Sequence, residues 1–144
     1  MVLLDVNVLV YAHRRDAPGH EAYRQWWEDC AGSEQAFGMA DLVLSGFLRI
    51  VTHPGIFDPP TPPEVAFRFV QEVRARPNCV EVKPGPRHWD IFVNLCRRAT
   101  ARGNFIPDAY LAALAIESGS EWITTDRGYS RFPGLRWRHP VMGP

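Results

Sequence analysis

The chain has no excess of charge, almost no lysine, few cysteines and no apolar run long enough to cross a membrane, and each shortage removes a class of explanation. Its 144 residues include sixteen basic and sixteen acidic side chains, so bulk charge predicts neither a surface that coats nucleic acid nor an acidic tail. Among the basic residues Lys83 is the only lysine; the rest are arginines, whose planar fork suits phosphate and carboxylate. Cys30, Cys79 and Cys96 are odd in number and lack C-x-x-C spacing, which argues against a disulfide framework and a zinc knuckle and predicts reduced core residues. The longest uninterrupted apolar stretch, residues 109–116, is far short of the ~20 residues of a membrane span. No basic region precedes the apolar N-terminal run, so a soluble cytoplasmic protein with no membrane association is expected. Repeats, low-complexity tracts and long linkers are also missing, and a single domain over residues 1–144 is expected.

What is present begins with MVLLDVNVLVYAH. Val2, Leu3, Leu4, Val6, Val8, Leu9 and Val10 read as a fully buried strand, yet Asp5 and Asn7 interrupt it at alternate positions. An unpaired buried carboxylate costs several kcal/mol, so Asp5 needs a compensating partner. On a strand, Asn7 shares a face with Asp5 and is placed to orient it by hydrogen bonding.

Beyond the opening, helix-like and strand-like stretches alternate. Helical spacing of Ala22, Trp26, Trp27 and Cys30 predicts a helix ending at Gly32, and QAFGM a short strand. Asp41 is a candidate N-cap for a helix running to His53-Pro54, and Thr61-Pro62-Pro63-Glu64 reads as a capping box for the next. CVEV predicts a strand, residues 87–102 a helix closed by Gly103, residues 107–118 a buried helix closed by Gly119, and residues 121–125 an inner strand. LRWRH predicts a last strand near an edge. The periodic context of Trp26, Trp27, Trp89 and Trp122 assigns them to the core, and the five histidines show no ligand or catalytic spacing. The expected fold class is α/β, with a mostly parallel central sheet flanked by helices, and such sheets place ligand sites beyond the carboxyl ends of their strands.

Asp5 in the first strand, Asp126 at the end of the last inner strand and Asp108 in the first turn of the buried helix can all face that edge. Bare, three converging carboxylates repel one another; a bound Mg²⁺ or Mn²⁺, a hard oxygen-seeking ion, removes the repulsion. Taken alone, Asp108 also fits a simple complement to a helix dipole and Asp126 an ordinary turn former. Thr124 and Thr125 offer hydroxyls beside Asp126 or merely β-branched strand character.

In order and spacing, LLDVNVLVYA, LVLSGFLRIVTHP, IPDAYLAALAIESG and ITTDRGYSRFPGLRW resemble the PIN-domain ribonucleases, specifically the VapC-type toxins of bacterial toxin-antitoxin pairs. The resemblance runs from Met1 to about Trp137. It implies a Mg²⁺- or Mn²⁺-dependent endoribonuclease that hydrolyses RNA phosphodiesters in an acidic pocket. Asp5, Asp108 and Asp126 fall on the family's metal-site aspartates, Asn7 on its D-x-N position and Thr125 on the threonine before the last acid. It also implies a homodimer held inactive by a VapB-like antitoxin. Two departures stand out: Gly46 occupies the place of a helix glutamate, and Gly128 that of a further acid two residues after Asp126. They open an alternative, a catalytically impaired PIN domain that binds antitoxin or RNA without efficient cleavage. A phospho-acceptor α/β protein is disfavoured, since it wants a second acid near Asp5 and a late lysine. Among candidate RNA-binding arginines, which include Arg49, Arg127 ranks first because it directly follows Asp126.

Overall fold

The computed structural model of the chain describes residues 1–142; the last two residues of the expected 1–144 domain lie outside them. In chain order the elements are β1 (Val2–Leu4), α1 (Val6–His13), α2 (His20–Ala31), β2 (Phe37–Met39), α3 (Asp41–Val51), α4 (Pro63–Ala75), β3 (Cys79–Glu81), α5 (His88–Arg98), α6 (Phe105–Glu117), β4 (Glu121–Ile123), a 3₁₀ turn (Arg127–Arg131) and β5 (Trp137–Arg138). They form one α/β unit around a five-stranded sheet of order β3-β2-β1-β4-β5, with every pair parallel. Pairs of helices make the first three crossovers, and β5 is the edge strand expected of LRWRH. No helix among the described residues is long and apolar enough to cross a membrane.

The opening stretch departs from expectation. Only Val2–Leu4 is strand; Val6 to His13 is helix. Asp5 is the hinge between them, extended at φ −79° and ψ 163°, with Oδ1 accepting the Val6 N–H at 2.7 Å. An acid before an apolar run is a helix-start signal, and it prevails here over the strand propensity of Val6, Val8 and Val10 because α1 is buried on most of its surface. Val8, Leu9 and Val10 are all in the core, and an element apolar all round carries no period by which strand and helix can be told apart.

Other helix boundaries shift for equally local reasons. Asp41 is the first residue of α3, not its N-cap, and makes no capping bond; the cap position is Ala40. Thr61 does not close a capping box either. Its N–H bonds to the Val51 carbonyl at 2.7 Å and its Oγ1 lies 3.2 Å from both His13 Nε2 and Arg14 Nη1, so it ties the α3–α4 loop to the end of α1. Helix α5 stops at Arg98, short of Gly103, with Thr100 at φ 51°. Helix α6 begins at Phe105, two residues before Pro107.

The core is built by Trp122, Phe37, Phe47 and the leucines and valines of β1 and α1. Trp27 meets Phe37 edge-on at 5.3 Å. Trp89, expected inside, is 64% exposed. The buried His20 and His88 each contact a backbone carbonyl, of Tyr11 and Tyr110 respectively, consistent with a helix-pinning role. All three cysteines are free and half-buried, and burial pushes the Cys30 thiol up to about 11.

Candidate active site

From β1 the chain moves to β2 and β3 on one side; after β3 it crosses back to place β4 on the other side of β1. The reversal of strand order lies at the carboxyl ends of β1 and β4, where open parallel sheets have their crevice. Here a cleft of about 390 Å³ is lined by Asp5, Asp108 and Asp126, with Asn7, Ser45, Gly46, Arg49 and Tyr129 among the other wall residues. Two of these acids are more than one hundred positions from the first, yet all three share one cavity.

Each acid is held by its element. Asp5 sits at the carboxyl end of β1, its N–H donating to the Ile123 carbonyl of β4 at 2.9 Å. Because Leu4 pairs with Ile123, the next residue on each strand comes opposite the other. The fully buried Thr124 thereby donates its hydroxyl to Asp5 Oδ2 at 2.6 Å and accepts the Asp126 N–H at 3.0 Å. Asp108 projects from the first turns of α6, with Oδ1 accepting the Tyr129 hydroxyl at 3.3 Å. Asp126 caps the 3₁₀ turn through the Gly128 N–H at 2.8 Å.

Electrostatics follow from this crowding. Burial, opposed by the two hydrogen bonds and reinforced by Asp108 and Asp126, raises the Asp5 carboxyl from 3.8 to about 6. Asp108 is raised by burial and by Asp126, against the Tyr129 hydroxyl and the Arg131 charge. Tyr129, pressed by burial and all three acids, titrates well above the usual tyrosine range and remains a donor.

The acids' neighbours differ from expectation. Asn7 lies on the cleft wall but in the first turn of α1, not on a strand, and makes no hydrogen bond to Asp5 among the described residues; the Val6 N–H and the Thr124 hydroxyl do that work. Thr125 is half-buried without a side-chain hydrogen bond among the described residues, and the threonine hydroxyl at the acids is Thr124's. Arg127 is exposed and outside the cleft wall; partial burial of the His139 ring and, after it, the Arg127 charge hold that ring below its ordinary value. The arginine on the wall is Arg49 of α3.

The donor set fits a hard divalent ion in chemical type. It is all oxygen, and Asp108 Oδ2 and Asp126 Oδ2 have no protein donor among the described residues. Among the described residues no three acidic, histidine or cysteine side chains stand together closely enough to hold a metal ion between them. Mg²⁺ typically keeps several waters and takes one or two carboxylates directly, so an open arrangement suits it. Gly46 lines the cleft, and a Cβ there would stand 3.0 Å from Val6 Cγ2, so the position that the resemblance assigns to a glutamate is one where α3 packs tightly on α1.

A family model described as PIN domain matches residues 2–135. The chain is 46% identical over 143 residues to ribonuclease VapC43 of Mycobacterium tuberculosis, covering 99% of this chain and 97% of that protein. Among solved structures it is similar in fold to VapBC2 from Rickettsia felis bound to a DNA fragment from their promoter, with TM-score 0.70, 17% identity and coverage of 96% and 98% of the two chains. It also matches a toxin-antitoxin complex from Klebsiella pneumoniae, with TM-score 0.58, 18% identity and coverage of 97% and 98%.

Proposed function

The chain belongs to the PIN domain family, and on that premise we propose that it is a toxin-type endoribonuclease that hydrolyses RNA phosphodiester bonds with Mg²⁺ or Mn²⁺. The observation that carries the reading is the meeting of Asp5, Asp108 and Asp126 in one cleft at the sheet's switch point. Full-length identity to a protein named as a ribonuclease supports the substrate class.

Asp5, Asp108 and Asp126 would hold the ion. When bound, it supplies Lewis-acid polarisation of a phosphate oxygen and lowers the pKa of a water. The chain's own groups do the rest. The Val6 N–H and Thr124 hydroxyl fix both oxygens of Asp5, and Tyr129 steadies Asp108. Arg49 places one guanidinium on the wall of an otherwise acidic cleft, where it can take a phosphate oxygen of the bound strand. At neutral pH Asp5, at about 6, is mostly ionised and available as an acceptor. A VapB-like antitoxin and a homodimeric state complete the proposal, the former supported by likeness to a toxin-antitoxin complex.

The test is incubation of purified protein with RNA and Mg²⁺ or Mn²⁺, beside Asp5→Asn and a chelator control. Cleavage abolished by both controls is expected. Equal cleavage by Asp5→Asn would assign the activity elsewhere. A second reading, a PIN domain that binds RNA or antitoxin without efficient cleavage, is favoured by Gly46 and the open acid arrangement; RNA binding without metal-dependent cleavage would establish it.

A further inference from the structure

The two elements that carry Asp108 and Asp126 also carry a second, non-acidic pair. Phe105 opens α6 one turn before Asp108 and is 42% exposed. Arg131 ends the 3₁₀ turn that Asp126 caps, and its guanidinium carbon lies 3.6 Å from the centroid of the Phe105 ring. Arg131 is exposed and forms no ion pair among the described residues. Its head is nevertheless fixed, since Nε donates to the Gly128 carbonyl at 2.7 Å. Gly128 makes room for it: a Cβ there would stand 3.0 Å from Arg131 Nη2 and 2.9 Å from Asp126 Oδ1. The residue that lacks an acid side chain therefore lets a planar cation lie against the ring beside the acids.

The guanidinium has one face on an aromatic ring and makes no ion pair with a carboxylate among the described residues, though its charge is felt at Asp108. Its shape suits single-stranded nucleic acid, whose unpaired bases stack on arginine planes and aromatic rings. We propose that Arg131 and Phe105, outside the cleft wall but adjoining Asp126 and Asp108, form a nucleobase subsite beside the cleft, where an unpaired base next to the scissile phosphate stacks on the guanidinium plane. Gly128 and Phe105 set the tilt of that plane, and the shared elements set its distance from the acids. The subsite rests on the ribonuclease reading above, and deepens it by naming what holds the substrate strand.

Stacking and simple charge attraction make opposite predictions for Arg131→Lys, which keeps the charge and loses the plane. The probe is a short single-stranded RNA carrying 2-aminopurine, whose fluorescence is quenched when the base stacks, added to the full chain in EDTA. Quenching with wild type and its loss with Arg131→Lys and Phe105→Leu are expected. In the cleavage assay with Mn²⁺ both variants should raise KM by about fivefold, the low end of what one stacked base contributes, with kcat within about twofold. Gly128→Ala replaces neither stacking group but crowds Arg131 Nη2 and Asp126 Oδ1; it should weaken the quenching in EDTA by an intermediate amount, which keeps the test open if Phe105→Leu fails to fold. Unchanged quenching and KM in Arg131→Lys would overturn the subsite and leave a phosphate contact, while metal-dependent cleavage by wild type would still stand. Wild type that neither binds nor cleaves RNA would overturn the ribonuclease reading and the subsite with it.

Discussion

Asp5→Asn should make the metal-free protein more stable at pH 8 and less stable at about pH 3. In the folded chain the carboxyl is raised from 3.8 to about 6, so keeping it ionised costs about 3 kcal/mol at 1.36 kcal/mol per pKa unit. A carboxyl whose folded value lies above its unfolded one binds a proton on folding between about pH 4 and 6. Its contribution to stability is therefore full only below about pH 4 and is lost as pH rises from there through about 6. Asparagine removes the charge and, through its side-chain oxygen, retains the cap on the Val6 N–H, now 2.7 Å long. It also places an amide where Oδ2 accepts the Thr124 hydroxyl at 2.6 Å, which costs about 1 kcal/mol of hydrogen bonding. The balance is a gain of about 1–2 kcal/mol at pH 8 and a loss of about 1 kcal/mol at about pH 3, where wild type is protonated folded and unfolded alike. Urea unfolding in EDTA at the two pH values measures both. Added Mn²⁺ should stabilise wild type at pH 8 and leave the variant unmoved, because only a folded site with its charge intact gains by binding. A variant equally destabilised at both pH values would refute the claim that Asp5 is held ionised at a cost to the fold.

Three further substitutions test neighbouring parts of the structure. Thr124→Val strips the donor from Asp5 and the acceptor from the Asp126 N–H; it should cost about 2 kcal/mol in urea unfolding and move the Asp5 carboxyl titration, followed by NMR, above about 6. Gly46→Ala would ordinarily gain about 1 kcal/mol of helix propensity, but its Cβ at 3.0 Å from Val6 Cγ2 should turn this into a loss, read as a lower Tm; a higher Tm would show that α1 yields there. Trp89→Ser should change stability by less than about 0.5 kcal/mol, because the indole is 64% exposed; a larger loss in urea unfolding would show that the ring is covered in solution.

The alternation of elements made the parallel sheet and its ligand edge legible, because crossover connections leave little choice of topology. Boundaries were less legible because the strands are only two or three residues long. In β1 the pattern of a buried strand ran on without a break into a buried helix. An acid that is anomalous inside a strand is ordinary at a helix start, so Asp5 carries an N-cap signal that the unbroken apolar run around it masks. Asp5 carries both roles: one oxygen caps α1 and the other takes the Thr124 hydroxyl.

Where sequence reasoning placed polar neighbours by adjacency, the fold placed them by register. Asn7 and Thr125 stand close to the acids along the chain, but the pairing of Leu4 with Ile123 brings Thr124 to Asp5. Arg127 follows Asp126, but the 3₁₀ turn directs the chain so that Arg131, four residues further on, lies over Phe105. Only residue type and element order are local properties; register and turn handedness are settled by pairing across the sheet. An acid at a strand end can thus be nominated from sequence, whereas the hydroxyl that orients it and the cation beside it emerge only once β4 is hydrogen-bonded to β1. The same logic explains Gly46. Its lack of a side chain is unfavourable within a helix, and the cause lies in a valine from another helix whose methyl group would stand 3.0 Å from any added Cβ.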